Sequence, residues 1–242
     1  MAINTKSFDK TLKNIGIKHH YRYSFYLENY IFHGIELKSK TLLDVGGGNG
    51  IASFYARYKD NTCKCIVADP LKKGSNEFME DQFNKLSKLY GKGVKLHKGY
   101  TSSLPKRMKF DLILLHNSIN HIGEDIISTV KDVPEHRNEY LKRLKEVLSH
   151  GKKGAKIIVA DCSNKNFWGD LKLPNIFAPS INWKIHKDPN FWTDMLNELN
   201  CKHIKTNWTA RRELLYLGKF FLANKVMSYF TDSHFVSVYE KK

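Results

Sequence analysis

The stretch Leu42-Leu43-Asp44-Val45-Gly46-Gly47-Gly48-Asn49-Gly50 joins a short apolar run that ends in an acid to a series of closely spaced glycines. Such a pattern predicts a buried parallel strand that turns sharply into a helix, with backbone N–H groups that can face a ligand. Glycine suits this turn because a Cβ atom would block close approach to the backbone. The stretch therefore predicts a ligand-binding turn at the start of an α/β fold.

The spacing of the glycines excludes two phosphate-binding motifs. A G-x-G-x-x-G fingerprint would need a third glycine at Ile51 or Ser53, and no G-x-x-x-x-G-K-[ST] motif is present. The remaining pattern, Asp44-x-Gly46-x-Gly48-x-Gly50, resembles the first motif of class I S-adenosylmethionine-dependent methyltransferases. This resemblance implies that S-adenosylmethionine is the cofactor and that the four residues of the pattern form part of its site. The alternative is a glycine-rich turn without a ligand.

A second acid follows at a suitable distance from this turn. Asp69 ends an apolar run at residues 65–68 and lies 19 residues beyond Gly50. A carboxylate at the end of the second strand can accept hydrogen bonds from both hydroxyls of a ribose. We therefore expect Asp69 to bind the cofactor's ribose, although an Asp before a Pro can also be a turn residue only.

Strand and helix patterns alternate down to residue 161, which predicts a doubly wound, Rossmann-like, mostly parallel sheet. We expect seven strands, and the resemblance implies that the last strand is antiparallel to its neighbours. The apolar spacing predicts a helical segment at residues 7–33 and an inserted helix at residues 212–229. We expect one domain over residues 1–242, with an N-terminal lead-in (1–40), a cofactor-binding core (41–161) and a substrate cover with completion of the sheet (162–242).

Many members of the family that this sequence resembles carry an Asp in the loop after the third strand, where it binds the adenine amino group. This sequence has Tyr100 at that position. We expect Thr101 or Ser102 to take over the contact with adenine.

The loop after the fourth strand is rich in polar side chains. Residues just beyond a central strand line the ligand crevice in such folds, so His116 and Asn117 are expected to contact the cofactor. Imidazole titrates near neutrality and can act as a general base, which makes His121 the first candidate for a catalytic base and His116 the second. Asn117 and Asn120 are candidates for orienting groups. Each of these side chains could instead only fill space.

Residues 162–188 lack a regular apolar period but accumulate aromatic side chains. A long irregular segment after a central strand is typical of a substrate-binding cover, and we expect an aromatic lid here. The substrate-binding candidates are Arg22, Trp168, Trp183 and His186, and His186 is also a third candidate for the base. Lys172 and Lys184 could pair with an acidic group of the acceptor.

The composition limits the possible partners and the cellular location. The formal charge of +16 invites a nucleic-acid role, but the excess is spread along the chain, with net charges of +4, +7 and +5 over residues 1–40, 41–161 and 162–242. We therefore expect a small-molecule partner, possibly anionic, and regard nucleic acid as the less favoured partner. The sequence predicts no membrane span, no membrane partner, no signal peptide at its start and a cytoplasmic location; it does not indicate an oligomeric state.

The four cysteines show neither zinc-ligand spacing nor a C-x-x-C pair. The loop after the fourth strand also lacks the acid that metal-dependent catechol-type enzymes use. We expect metal-independent methyl transfer to a small molecule, with oxygen favoured over nitrogen as the acceptor. N-methylation of a small molecule, methylation of RNA or protein, and non-catalytic cofactor binding remain as alternatives.

Overall fold

The computed structural model describes residues 5–18, 20–72 and 77–242. Residues 1–4, part of the start at which no signal peptide is predicted, lie outside the described residues. The strands are β1 (Thr41–Val45), β2 (Lys64–Ala68), β3 (Val94–His97), β4 (Phe110–His116), β5 (Gly151–Cys162), β6 (Cys201–Trp208) and β7 (His234–Lys241). The helices are α1 (Thr5–Asn14), α2 (Tyr23–Tyr26), α3 (Ile51–Lys59), α4 (Glu77–Tyr90), α5 (Pro134–Ser149), α6 (Phe167–Asp170), α7 (Pro189–Glu198), α8 (Leu215–Phe221) and α9 (Lys225–Phe230).

The strands form one sheet in the order β3-β2-β1-β4-β5-β7-β6. Strand β7 is antiparallel to both β5 and β6, and the other six strands run in one direction. This confirms the predicted doubly wound, mostly parallel sheet with an antiparallel last strand. The chain order reverses between β1 and β4, and the carboxyl ends of strands at such a point form a crevice.

Alternate residues of the strands point to opposite faces of the sheet, and each face has its own core. On one face, Leu42 of β1 packs with α1, α2, α3 and α4. On the other face, Leu43 packs with α5 and α7, where the buried Trp192 adjoins Tyr140 at a ring distance of 5.8 Å. Both faces are therefore covered, which is what a parallel sheet requires.

Two predicted helices are interrupted. The lead-in consists of α1, a turn that includes Gly16 at φ +83°, and α2, which continues into a π-helical turn at Leu27–Ile31. The predicted helix at residues 212–229 is a 3-10 turn, Arg212–Leu214, followed by α8 and α9 with a break between them. Asn224 in that break caps α9 by accepting a hydrogen bond from the Met227 amide, which starts a new helix.

Strand β5 begins at Gly151, four residues before the predicted start at Ala155. The pairing with β4 shifts between Phe110 and Leu112, so that extra residues of β5 bulge out around Gly154, which has φ +78°. The cover expected at residues 162–188 holds the single turn α6 and otherwise irregular chain within its described length. Among the described residues, no helix is both long enough and apolar enough to cross a membrane.

Candidate functional site

The glycine turn lies at the carboxyl end of β1, in the crevice between β1 and β4. Gly46, Gly48 and Gly50 have φ values of +66°, +52° and +72°, a conformation that other residues rarely adopt. A Cβ atom on Gly46 would lie 2.8 Å from Ser118 Cβ, so this turn packs directly against the loop that follows β4. Gly50 caps the start of α3, whose first amides point back toward the crevice.

The Asp44 side chain packs against the glycine turn. This side chain is buried, accepts a hydrogen bond of 2.8 Å from Ser53 Oγ, and would lie within 2.8 Å of a Cβ atom on Gly47. Gly47, for which the sequence pattern predicted no role, must be glycine because of this close contact with Asp44. Burial raises the pKa of Asp44 to about 6, and the nearby charge of Asp69 acts in the same direction.

Asp69 ends β2 beside the turn and is buried. Its Oδ2 accepts a hydrogen bond of 2.8 Å from the Gly48 amide, and its Oδ1 accepts one of 2.7 Å from the Leu71 amide. A carboxylate oxygen has two lone pairs, so these bonds do not exhaust its capacity to accept from a ribose. The ribose contact expected from the sequence stays a prediction.

The residues proposed for adenine lie in a 3-10 turn after β3. Thr101 is buried, and its carbonyl oxygen lies 3.2 Å from His150 Nε2, whereas Ser102 is exposed. Tyr100, which stands where relatives carry an acid, has 63% of its surface exposed. The geometry brings Thr101 and Ser102 to the same edge of the sheet as Asp69, and their contact with adenine stays a prediction.

His116 and Asn117 lie at the end of β4, next to two residues that the sequence analysis did not single out. Tyr26 Oη lies 3.3 Å from His116 Nε2 and 3.4 Å from His234 Nε2. His234 Nε2 also lies 3.3 Å from Asn117 Oδ1. A residue of α2, the end of β4 and the start of β7 therefore meet in one polar cluster.

The two histidines of this cluster are held neutral. Burial and, to a smaller extent, the proximity of His234 lower the pKa of His116 to about 3. Burial also lowers the pKa of His234, against the opposing effect of Asp232 and Asp161. Burial raises the pKa of the Tyr26 hydroxyl well above its usual value. The cluster is thus an uncharged hydrogen-bonding wall at neutral pH.

His186 forms a close pair with Asp161 at the end of β5. The imidazole Nδ1 lies 2.8 Å from Asp161 Oδ1, and the two side chains are 12% and 0% exposed. Only Nδ1–H can donate to the carboxylate, so this contact leaves Nε2 of a neutral ring as an acceptor. Asp161 Oδ2 is buried without a hydrogen-bond partner in the part of the chain that the structure describes.

His121, the first choice of base from the sequence, lies on the surface. Its side chain is 50% exposed and its Nδ1 lies 3.1 Å from Glu124 Oε2. Asn120, proposed as an orienting group, and Ser118 are buried in the same loop. Ser118 Oγ and Asn120 Oδ1 are buried and have no hydrogen-bond partner among the described residues.

The two tryptophans expected to bind substrate lie in different surroundings. The Trp183 ring lies 6.1 Å from the His186 ring, beside the His186–Asp161 pair. Trp168 Nε1 instead donates to the Phe230 carbonyl at 2.9 Å, which fastens the cover to α9. Arg22 donates to the Glu213 carbonyl, and its guanidinium lies 4.9 Å above the Tyr21 ring. The roles of these residues toward a substrate stay predictions.

No cluster of three or more His, Cys, Asp or Glu side chains that could hold a metal ion occurs within residues 5–18, 20–72 and 77–242. The site residues that sequence reasoning missed are Tyr26, Ser118, Asp161 and His234. Position at the end of a strand was a usable signal for Asp161 and Ser118. Tyr26 and His234 carry no such signal, because only the fold brings α2 and the start of β7 to the end of β4.

No protein-family model matches the sequence. No curated protein matches it either. Solved structures, however, match over nearly the whole chain. A SAM-dependent methyltransferase from Aquifex aeolicus is 16% identical, with a TM-score of 0.57 over 96% of this chain and 97% of that one. The chain has the fold of the class I S-adenosylmethionine-dependent methyltransferases.

Two other structures with this fold hold bound small molecules. An O-methyltransferase family 2 protein from Planctomyces limnophilus, in complex with apigenin, is 16% identical with a TM-score of 0.57 over 98% of this chain. This chain spans only 61% of the length of that protein. The 1,6-didemethyltoxoflavin-N1-methyltransferase of Burkholderia thailandensis, with its substrate and S-adenosylhomocysteine bound, is 12% identical with a TM-score of 0.57 over 100% of this chain and 88% of that one.

Proposed function

We propose that this protein transfers a methyl group from S-adenosylmethionine to a hydroxyl group of a small molecule, with His186 as the general base. The observation that carries the choice of oxygen is the 2.8 Å contact between His186 Nδ1 and the buried Asp161. A hydroxyl acceptor needs a base that takes its proton, whereas a neutral amine needs little more than positioning. A His–carboxylate pair beside a cofactor crevice is therefore most useful for a hydroxyl.

The residues of the crevice fit S-adenosylmethionine in their chemistry. The glycine turn at Gly46–Gly50 offers backbone amides and close approach, and the Asp69 carboxylate retains capacity to accept from ribose hydroxyls. The buried Ser118 Oγ, which has no partner among the described residues, lies against Gly46 and offers a further polar contact. When bound, the cofactor supplies the methyl group on a sulfonium centre.

His186 and Asp161 act on the acceptor. Asp161 accepts from Nδ1–H, which fixes the tautomer and directs the Nε2 lone pair to the acceptor hydroxyl. His186 Nε2 would take the hydroxyl proton of the acceptor as its oxygen receives the methyl group that the cofactor would supply. The resulting imidazolium is stabilised by the Asp161 carboxylate, and its proton then returns to water. General base catalysis of this kind contributes about 10²–10⁴-fold to the rate.

The cover and the polar cluster contribute positioning and exclusion of water. Trp183 offers an aromatic face beside His186, and Tyr26 with His116 offers a neutral polar wall on the α2 side. Because the pKa of His116 is lowered to about 3, its imidazole is too weak a base to compete with His186 for the proton. We also propose that the acceptor is anionic. Lys172 and Lys184, which are exposed residues of the cover, are the candidates for pairing with its acidic group.

The proposal is tested by incubating the full chain with methyl-labelled S-adenosylmethionine and three kinds of acceptor: hydroxylated small molecules, small amines and RNA. The expected result is label in a small-molecule methyl ether, identified by mass spectrometry and NMR. Label in an amine would show that the acceptor atom is nitrogen and not oxygen. Label in RNA alone, or cofactor binding with no transfer to any of the three kinds of acceptor, would contradict the proposal.

A further inference from the structure

The helices α8 and α9 expose an unusual number of large apolar side chains. Leu217, Phe220, Phe221 and Val226 are 65%, 76%, 68% and 65% exposed. Together with the exposed Tyr216 and Phe230, we refer to these six side chains as the α8–α9 face. Single exposed apolar residues are ordinary, but a contiguous group on a folded surface marks a binding surface.

Buried contacts hold the α8–α9 face in place, although each of its two helices has fewer than eight residues. Gly218 is buried on the inner side of α8, where a Cβ atom would lie 2.7 Å from Leu214 Cβ. The buried Ser228 anchors α9 through a hydrogen bond of 3.0 Å to the Thr209 carbonyl. The Tyr216 ring, which is 57% exposed, also lies 5.0 Å from the Phe25 ring of α2 and so joins the face to that helix. The small buried residues therefore keep α8 and α9 packed against the rest of the fold, while the large apolar side chains point outward.

The cover extends the face. Trp168 donates to the Phe230 carbonyl, and Asn175 Nδ2 donates to the Thr231 carbonyl at 2.9 Å, so the two segments are joined. The cover contributes three more exposed apolar side chains, Leu171, Leu173 and Ile176, which are 53%, 51% and 66% exposed. The apolar surface thus continues from α9 onto the cover of the proposed site.

The charges around the face select its occupant. Residues 211–230 contain four basic side chains (Arg211, Arg212, Lys219 and Lys225) and one acidic side chain (Glu213), within a chain of formal charge +16. Pairing two copies of this surface would bring like charges together. An anionic lipid surface offers the opposite charge and an apolar layer that receives aromatic and aliphatic side chains.

We propose that the α8–α9 face docks this protein on the surface of a lipid bilayer that contains anionic lipids. The apolar side chains enter the boundary between headgroups and acyl chains, and the exposed basic side chains Arg211 and Lys225 lie at the level of the headgroups. This differs from the sequence-based expectation of no membrane partner. That expectation considered only spanning segments, whereas two short helices that lie flat on a surface leave no long apolar run in the sequence.

The test is co-sedimentation of the full chain with vesicles of phosphatidylcholine, with and without phosphatidylglycerol. The expected result is binding to the anionic vesicles that weakens as salt rises. Joint replacement Phe220→Ser and Phe221→Ser should lower the partition by about tenfold or more, because both rings lose their place in the apolar layer. Lys225→Gln should lower it by about fivefold. The matched control is Leu89→Ser on α4, which removes a side chain that is 61% exposed and should change nothing.

Circular dichroism and the thermal midpoint of each variant establish that it is folded. Absence of binding to anionic vesicles would overturn the proposal, and so would binding that the Phe220/Phe221 pair and Lys225→Gln leave unchanged. Sedimentation velocity without lipid should give the same species for the native chain and the double variant. A native dimer that the double variant loses, without vesicle binding, would assign the face to a second copy instead.

Discussion

The amide of Gly48 donates a hydrogen bond of 2.8 Å to Asp69 Oδ2, which joins the glycine turn after β1 to the end of β2. The Leu71 amide holds the other carboxylate oxygen. The same buried carboxylate therefore holds the turn in place, so that the glycine turn and Asp69 form one structural unit. The sequence spacing identified both parts but not the bond between them.

Replacement of Asp69 should weaken cofactor binding. We expect Asp69→Ala to lower the affinity for S-adenosylhomocysteine by about 1–3 kcal/mol, because it removes the ribose acceptor and releases the Gly48 amide. Asp69→Asn keeps one acceptor oxygen and should lose less. Isothermal titration calorimetry measures both effects. Asp81→Ala, on the exposed side of α4, is the control, and equal affinity in Asp69→Ala and this control would contradict the role of Asp69.

Replacement of the proposed base should affect the reaction and not the cofactor. His186→Ala should lower kcat by about 10²–10⁴-fold, and Asp161→Asn should also lower it because the tautomer and the imidazolium lose their support. Affinity for S-adenosylhomocysteine should stay the same in both. The paired comparison is His121→Ala, whose exposed imidazole contacts Glu124 and should cost less than about threefold in rate. The reverse order of effects would return the role to His121.

Replacement of each of the two tryptophans of the cover should have a different effect. Trp183→Ala should lower kcat/KM for the acceptor by tenfold or more, about 1.4 kcal/mol, without changing cofactor affinity, because Trp183 lies beside His186. Trp168→Ala should instead loosen the contact between the cover and α9, seen as a lower thermal midpoint. An acceptor kcat/KM unchanged in Trp183→Ala would remove this residue from the substrate site.

Asp44 should make stability depend on pH. The folded protein holds the Asp44 proton up to about pH 6, whereas the unfolded chain releases it near the ordinary value of 3.8. The folded state thus binds more protons between these values, so this group lowers the free energy of unfolding as the pH rises through the window, by up to about 3 kcal/mol.

Asp44→Asn removes the buried charge and keeps an acceptor for Ser53. It should raise the free energy of unfolding relative to the native chain near neutral pH and leave it nearly unchanged at about pH 4. Urea unfolding at the two pH values measures the difference. A variant that is less stable than the native chain at neutral pH and no different in its pH dependence would show that Asp44 is not held protonated by burial.

The sheet and the cofactor turn were predictable because their signals are local. The apolar run before Asp44, the glycines after it and the strand-end Asp69 each lie within one strand and one turn. The antiparallel β7 was expected from the family resemblance, whereas the order of the strands was not predicted and comes from the structure. Interruptions of the helices near Gly16 and Asn224 depend on single turn residues, which an apolar period does not reveal.

The residues proposed for catalysis and positioning were less predictable, because they are brought together by contacts between distant segments. The His186–Asp161 pair joins β5 to an irregular segment 25 residues further along the chain. Tyr26 and His116 are 90 residues apart, and Tyr26 and His234 are 208 apart. Only the packing of α2 over the sheet and the entry of β7 beside β5 bring them together. Sequence position favoured His121, but the 3-10 turn at Ile119–His121 points that side chain to the surface.

Titration of S-adenosylhomocysteine into the native chain and into Gly48→Arg tests the cofactor site most directly. The native chain should bind in the low micromolar range or tighter, and Gly48→Arg should bind nothing, because its side chain fills the crevice beside Asp69. Gly91→Arg is the matched control, since Gly91 also has a positive φ, of +78°, but no neighbouring atom near its Cβ position. The predicted result is that the native chain and Gly91→Arg bind S-adenosylhomocysteine and that Gly48→Arg does not. No heat with the native chain, or equal affinity in a folded Gly48→Arg variant, would contradict the cofactor site and the methyl transfer proposed for it.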